Sequence, residues 1–336
     1  MNNKQKRILT GDNATGKLHV GHYVGSLQNR VQLQKEYETF IIIADMHALA
    51  YPKYVKKPEV VAKSVLDVTM GNLAVGMDPE ETTFFAESGV PEIYELATIF
   101  SMLISHNRAL RNPTLKEEIR DKSLGDKYSM GFLNFPLLQA ADILCVNADL
   151  VPVGEDQLPH IELTREIARK FNSYYGEVFK EPEPLVGKVA RLPGLDGNAK
   201  MSKSLGNTIY LNESEESLKE KVMSMFTDPN RIHPTDPGTV EGNPVFIYHD
   251  AFNENKEEVE NLKDRYRKGK VGDVEVKEKL FTAMNGFLKP IREKYNYYEN
   301  HLEEVQEIIQ EGTKKTRIEA QKTLEEVQEK TTLNLF

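Results

Sequence analysis

The strongest constraint on how this chain can fold lies in its first half, where short apolar runs alternate with amphipathic stretches. Residues 7–10, 40–44 and 82–85 are short and rich in β-branched or aromatic side chains. The intervals between them carry a helical period. After Gly21 the apolar positions Val24, Leu27 and Val31 recur at spacings of three and four, and a second periodic stretch runs over 58–75. A β-α-β-α order of this kind predicts an α/β fold with a doubly wound parallel sheet, in which ligands sit beyond the carboxyl ends of the strands. Strand 150–153 and a helix over 158–171 resume the pattern. Between 107 and 129 (with LKEEIRDKSLGDKYS) the charge density rises and the apolar period fades, which reads as an exposed insertion.

From residue 213 onward the periodicity is helical only, interrupted by DPNRIHPTDPGTVEGNP, whose four prolines forbid a long helix. With 336 residues the chain exceeds what one core normally fills. The expected division is a nucleotide-binding domain over 1–205 with an insertion at about 107–135, a C-terminal all-helical domain over 206–300, and final helices in 301–336 that pack back on the first domain. The charge of −9 means that any contact with nucleic acid comes from a local basic patch. Cys145 is the one cysteine, which excludes an internal disulfide framework, a cysteine-rich zinc site and an iron–sulfur cluster held by the protein, and fits a cytoplasmic location. MNNKQKR lacks the apolar core of a signal peptide, and the longest apolar runs are too short to cross a bilayer. No membrane association is expected.

Two constellations carry chemistry. The first, TGKLHVGH, holds Thr15, Gly16, His19, Gly21 and His22 after the first strand and at the start of the first helix. Gly21 permits close approach of a flat ring to the backbone, and the two imidazoles flank a helix N-terminus, a setting suited to phosphate. The second, AKMSKSLGN, holds Lys200, Met201, Ser202, Lys203 and Ser204, two ammonium groups and two hydroxyls that can close on a leaving phosphate. Either could be a solvated turn by itself; together they resemble the HIGH and KMSKS signatures of class I aminoacyl-tRNA synthetases.

Within that class the chain is most similar to the tryptophanyl-tRNA synthetase family, through ATGKLHVGHYVGSL, FIIIADMHAL, GFLNFPLLQAADIL and DLVPVGEDQLPHIELTREIARKFN. The resemblance implies a Rossmann-like catalytic domain, activation of L-tryptophan by ATP, and transfer to the tRNA for tryptophan. His19 and His22 would contact the triphosphate. Lys122, Lys200 and Lys203 would spread the charge that develops toward pyrophosphate, with Mg2+ held by phosphate oxygens and water and no metal held in a protein cage. Asn13, Gly154, Glu155 and Asp156 would complete the ATP site, with Asn13 close to the amino acid carboxylate. Gln139 and Asp142 stand i, i+3 on one helix, and the aspartate would accept the indole N–H. Ile8, Phe135, Val151, Val153 and Gln157 would line the rest of the tryptophan pocket. A homodimer is implied, with 206–300 reading the anticodon.

Tyrosyl-tRNA synthetase shares the Gln-x-x-Asp helix, but its substrate-binding tyrosine is absent here, where Ile8 stands, and GEDQLPHIELTR replaces its GSDQW. Departures from the commonest tryptophan pattern are Ala14 for a proline, Phe135 for a tyrosine and Gln139 for a methionine. Asp45 and His47, in ADMHAL at the end of the second strand, have two open readings, a site role or structural hydrogen bonding.

Overall fold

The computed structural model describes every residue except 1–5, 122–124, 126–127, 187–191, 198–200, 202–204, 230, 232, 234 and 334–336, and of residue 121 the backbone alone. Five parallel strands form one sheet: β1 (Arg7–Asn13), β2 (Glu38–Ala44), β3 (Thr82–Ala86), β4 (Leu150–Val153) and β5 (Glu183–Val186), in the order β3-β2-β1-β4-β5. The order reverses at β1, which pairs with β2 on one side and β4 on the other. That reversal is the switch point at which open α/β sheets hold ligands. Strand β5 has no counterpart among the apolar runs of the sequence. It is a four-residue strand that contains Pro184, tolerated because β5 lies at the sheet edge and pairs with β4 alone.

Helices follow in chain order: α1 (Val20–His22), α2 (Gln28–Leu33), α3 (Asp45–Leu49), α4 (Pro52–Val55), α5 (Pro58–Ala74), α6 (Glu92–Leu103), α7 (His106–Ala109), α8 (Pro113–Asp121), α9 (Met130–Cys145), α10 (Leu158–Tyr175), α11 (Glu215–Met223), α12 (Pro244–Phe252), α13 (Lys256–Arg267), α14 (Asp273–Glu299) and α15 (Leu302–Thr331). A π-helical stretch, Tyr23–Leu27, joins α1 to α2. It shifts the register expected from the apolar spacing. Leu27, Arg30 and Leu33 are the buried positions, while Val24 and Val31 are half-exposed. Arg30 accepts burial because both its terminal nitrogens reach Asp12, at 2.6 and 3.2 Å, and one also reaches the Gly11 carbonyl at 2.8 Å.

The chain divides into two compact units, Met1–Gly16 with Asn29–Lys188 and His301–Phe336, and Lys17–Gln28 with Val189–Asn300. The first holds the sheet and its main core. Leu9, Phe40, Phe85, Phe100, Leu137, Ala141, Val151 and Phe171 belong to one cluster; Ile8, Leu33 and Leu150 form a smaller one. Successive residues of a strand face opposite sides, so the two clusters mark the two faces of the sheet. The last 30 helical residues, expected as several helices, are a single helix, α15, packed on edge strand β3. Gly312 is where it crosses. A Cβ there would run into the carbonyl of Phe84. About two turns further along the same helix, Glu319 receives the Arg7 guanidinium at 2.8 Å.

The second unit joins helices α11–α14 to the segment that carries the histidine turn. Val20 donates its N–H to the Ile209 carbonyl at 3.0 Å, Leu211 donates to Leu18 at 3.1 Å, and His19 pairs with Tyr210 in an antiparallel bridge. Tyr248, Tyr266 and Tyr295 are fully buried here, the last with the Lys17 ammonium 5.1 Å from its ring centre.

Candidate active site

In the first unit, side chains gather at the carboxyl ends of the strands. Asn13 ends β1 and is exposed. Ala14, found where relatives of the resembled family commonly have proline, donates its N–H to Ala44 at 3.2 Å, a bond that proline lacks. Thr15 turns back on the Asn13 carbonyl at 2.8 Å and Gly16 follows with φ of 104°, a conformation open to glycine. After β4 the chain enters a 3-10 turn, Glu155–Gln157, begun by Gly154. The Asp156 carbonyl accepts the Thr114 hydroxyl at 2.8 Å, and Gln157 donates to the Asp156 carboxylate at 3.1 Å.

Helix α9 supplies the floor. Ser129 caps it by accepting the Phe132 N–H at 3.1 Å, and Phe135, Gln139 and Asp142 follow at spacings of four and three. Asp142 is 3% exposed. Its Oδ2 lies 2.8 Å from His47 Nε2, while Oδ1 has no hydrogen-bond partner. The Gln139 Oε1 and His47 Nδ1 atoms are likewise buried and unpartnered. Phe135 packs edge-on against the His47 ring, centres 4.4 Å apart, and lies 5.8 Å from His160.

Two acids outside both of the sequence constellations, Glu87 and Asp45, complete the floor. Glu87, fully buried in the turn after β3, accepts the N–H groups of Met46 and His47 at 3.2 Å each. Asp45 accepts the N–H of Ser88 at 2.9 Å and also its hydroxyl. The signal available in the sequence was position: both acids immediately follow parallel strands or close them, where ligands bind. Burial and then Asp142 push the Glu87 carboxyl up to about 8, against the opposing pull of His47. Burial, followed by Asp45, raises Asp142 well above the usual carboxylate range. His47 is held below the usual imidazole value by burial, although Glu87, Asp45 and Glu118 oppose this. A neutral His47 donates from Nε2 to Asp142 and keeps Nδ1 as an acceptor. Ligand atoms of His47, Glu87 and Asp142 lie within 4.8 Å of one another, the grouping among the described residues with the donor types of a metal site.

Val151 and Val153 belong to the face of the sheet that packs on α9. Ile8 does not. It is enclosed with Leu33 and Leu150 on the other face, and its neighbour Leu9 joins the cluster with α9. Ile8, expected in the tryptophan pocket, therefore lies on the face of the sheet away from α9, and Leu9 on the face toward it. Strand alternation carried the signal, since Leu9 shares parity with Asn13.

In the second unit, His19 caps α1. Its Nδ1 accepts the Gly21 N–H at 3.1 Å, and His22 Nδ1 accepts the His19 N–H at 3.1 Å, a reciprocal capping box built from two histidines. With both Nδ1 atoms accepting, each ring carries its donor hydrogen on Nε2. The rings lie 3.7 Å apart. A Cβ on Gly21 would stand 2.9 Å from His19 Nδ1 and 3.2 Å from the Met201 sulfur, so the glycine makes room for both motifs at once. Beyond the lysine-serine loop, Asn207 donates to Asp196 at 3.0 Å. Lys122, Lys200, Ser202, Lys203 and Ser204 lie outside the described residues.

Residues 1–289 match the family model described as tRNA synthetases class I (W and Y). A tryptophan–tRNA ligase of Chlamydia caviae is 50% identical over 330 residues, covering 97% of this chain and 95% of the relative. That of Borreliella burgdorferi is 48% identical, with 97% and 93% covered. Among solved structures, tryptophanyl-tRNA synthetase from Campylobacter jejuni, complexed with ADP and tryptophan, superposes with a TM-score of 0.86 at 34% identity, covering 97% of this chain and 99% of that one. On motif, sheet order and similarity over nearly its whole length, the chain belongs to the W and Y family of class I tRNA synthetases.

Proposed function

We propose that this chain joins L-tryptophan to its tRNA, using ATP. The tryptophan carboxylate attacks the α-phosphorus and pyrophosphate leaves with the bridging oxygen. The 2′-hydroxyl of the terminal adenosine then attacks the adenylate carbonyl and AMP leaves. The observation that carries the choice of amino acid is the open Oδ1 of Asp142, buried on α9 between the apolar residues of the sheet and the polar group of His47, Glu87 and Gln139. An indole N–H satisfies it, whereas phenylalanine would leave it unpaired at a cost of ~1–3 kcal/mol or more. The relatives at about half identity, all tryptophan–tRNA ligases, agree with that choice.

The remaining roles are part of the same reading. His19 and His22 offer Nε2–H donors to the triphosphate; Lys122, Lys200 and Lys203 take up the charge growing on pyrophosphate. Ser202, Ser204 and the backbone around Met201 supply further donors, and Asn13, Gly154, Glu155, Asp156 and Gln157 serve ribose and the amino acid head group. Phe135, Gln139, Leu9, Val151 and Val153 enclose the side chain. Magnesium accompanies ATP on phosphate oxygens and water. The buried His47–Glu87–Asp142 grouping has one nitrogen donor and is closed to solvent, which does not suit a hydrated Mg2+. We further propose a cytoplasmic homodimer, with residues 206–300 reading the anticodon. No described helix is long and apolar enough to cross a membrane.

Pyrophosphate exchange measured with each amino acid in turn tests the proposal. Exchange with tryptophan alone, followed by charging of the tRNA for tryptophan, is the expected result; exchange with tyrosine but not tryptophan would overturn it.

A further inference from the structure

Ala44, at the N-cap of helix α3, has no side-chain acceptor, and Asp45 at the first helical position accepts the Met46 N–H alone, at 3.0 Å. A further acceptor, shared by Met46 and His47, arrives from the neighbouring strand end. Glu87 Oε2 takes the N–H groups of Met46 and His47, two of the orphan donors of the first turn. The exchange is mutual, because Asp45 accepts from Ser88 in the turn that carries Glu87. From outside, α15 fixes that turn: the Ala86 N–H donates to the Thr313 hydroxyl at 3.2 Å, and Gly89 lies against the Thr313 methyl.

Capping alone does not call for a buried glutamate. A serine or asparagine at position 44 would cap the helix without burying a carboxyl group. What Glu87 adds is a second oxygen, Oε1, unpartnered and 3.8 Å from His47 Nε2, the nitrogen that holds Asp142. Glu87 thus fixes the backbone of His47 through one oxygen and faces its ring with the other.

We propose that Glu87 is a positioning residue for tryptophan recognition, acting through His47 to hold Asp142 with one carboxylate oxygen turned to the indole N–H. This rests on the assignment of Asp142 to the indole given above. It adds a residue two contacts away from the substrate, on a different strand end.

The test is the separation of substrate KM values in pyrophosphate exchange. Glu87→Ala is expected to raise the KM for tryptophan by about 10-fold, the worth of one or two buried hydrogen bonds, with the KM for ATP changed by less than about twofold. Glu87→Gln, whose amide oxygen still accepts both N–H groups, should restore most of the loss. In a His47→Ala background, Glu87→Ala should add less than about twofold, because the two act as one unit. Equal movement of the two KM values, no rescue by glutamine, or effects that multiply in the double variant would overturn the inference. Should Glu87→Ala fail to fold, Glu87→Asp, one methylene shorter, is read in the same assays and against the same outcomes. Asp142→Ala separates the two layers. If it leaves tryptophan KM unchanged, the pocket assignment fails and this inference with it; if it raises KM while Glu87 variants are inert, this inference alone fails.

Discussion

Histidine is used in two ways in this molecule. His47 is 3% exposed, leans on Asp142 and keeps Nδ1 unpartnered, among acids pushed upward by burial. His19 and His22 stand half-exposed, and backbone N–H groups occupy Nδ1 of each. On the proposed function, the first arrangement selects by penalty: the open oxygen of Asp142 is costly to leave without a donor. On the same proposal, the second attracts the nucleotide with donors whose direction the helix start already fixes. Changes on the α9 floor should therefore alter which amino acid is accepted, and changes in the second unit should alter nucleotide use and rate.

Four experiments break or sharpen that contrast. The largest effect is expected for Lys203→Ala, about 100-fold or more slower adenylate formation in single-turnover kinetics with tryptophan KM little changed. A loss of tryptophan affinity at normal rate would merge the two classes. Next, Asp142→Ala should raise tryptophan KM by about 30-fold and erode rejection of phenylalanine, measured by parallel exchange assays. For Gly21→Ala, the added Cβ displaces the His19 ring or Met201; an ATP KM about 10-fold higher with tryptophan KM constant is the expected outcome. The smallest effect concerns the first strand. Ile8→Val and Leu9→Val should each cost about 1 kcal/mol of stability, but only the Leu9 variant should shift tryptophan KM, by about threefold as for a missing methylene contact.

A pH series probes the buried acids. Glu87 has a folded value near 8 against an ordinary 4.5. Between those values the native chain holds a proton that the unfolded chain has released, so stability falls as pH rises through that window. Asp142 shifts the same way, and His47 the opposite way. Comparing wild type with Glu87→Gln isolates the glutamate. The melting temperature of the glutamine variant should gain on wild type from pH 5 to pH 8, by a few degrees, on the order of 1 kcal/mol. A constant difference would mean that Glu87 does not ionise in this range.

Much of the sheet was legible because strands β1 to β4 each carry a short run of β-branched or other apolar side chains, and the helices α5 and α10 keep a helical period. β5 was not, since four residues with a proline carry no periodic signal. The π-helical stretch after the histidine turn was hidden for a related reason: Val24, Leu27 and Val31 fit an unbroken helix, and the choice of Leu27, Arg30 and Leu33 depends on Asp12 receiving Arg30. At the site, Asp142 stood out as an acid within an apolar run. Glu87 did not, because its neighbours ESG look like any polar turn and its partners Met46 and His47 are some forty residues earlier. Long-range capping leaves no local trace.

The helix that closes the sheet edge comes more than two hundred residues after the strand it covers. At a ribosome adding roughly 5–20 residues each second, the strands exist well before α15 is made, and until it emerges Phe84 lacks Gly312 and Arg7 lacks Glu319. Nascent chains therefore pass through a stage with the outermost strand bare, when chaperone protection has most to offer, and a stop codon or frameshift ahead of Gly312 would leave that edge uncovered for good.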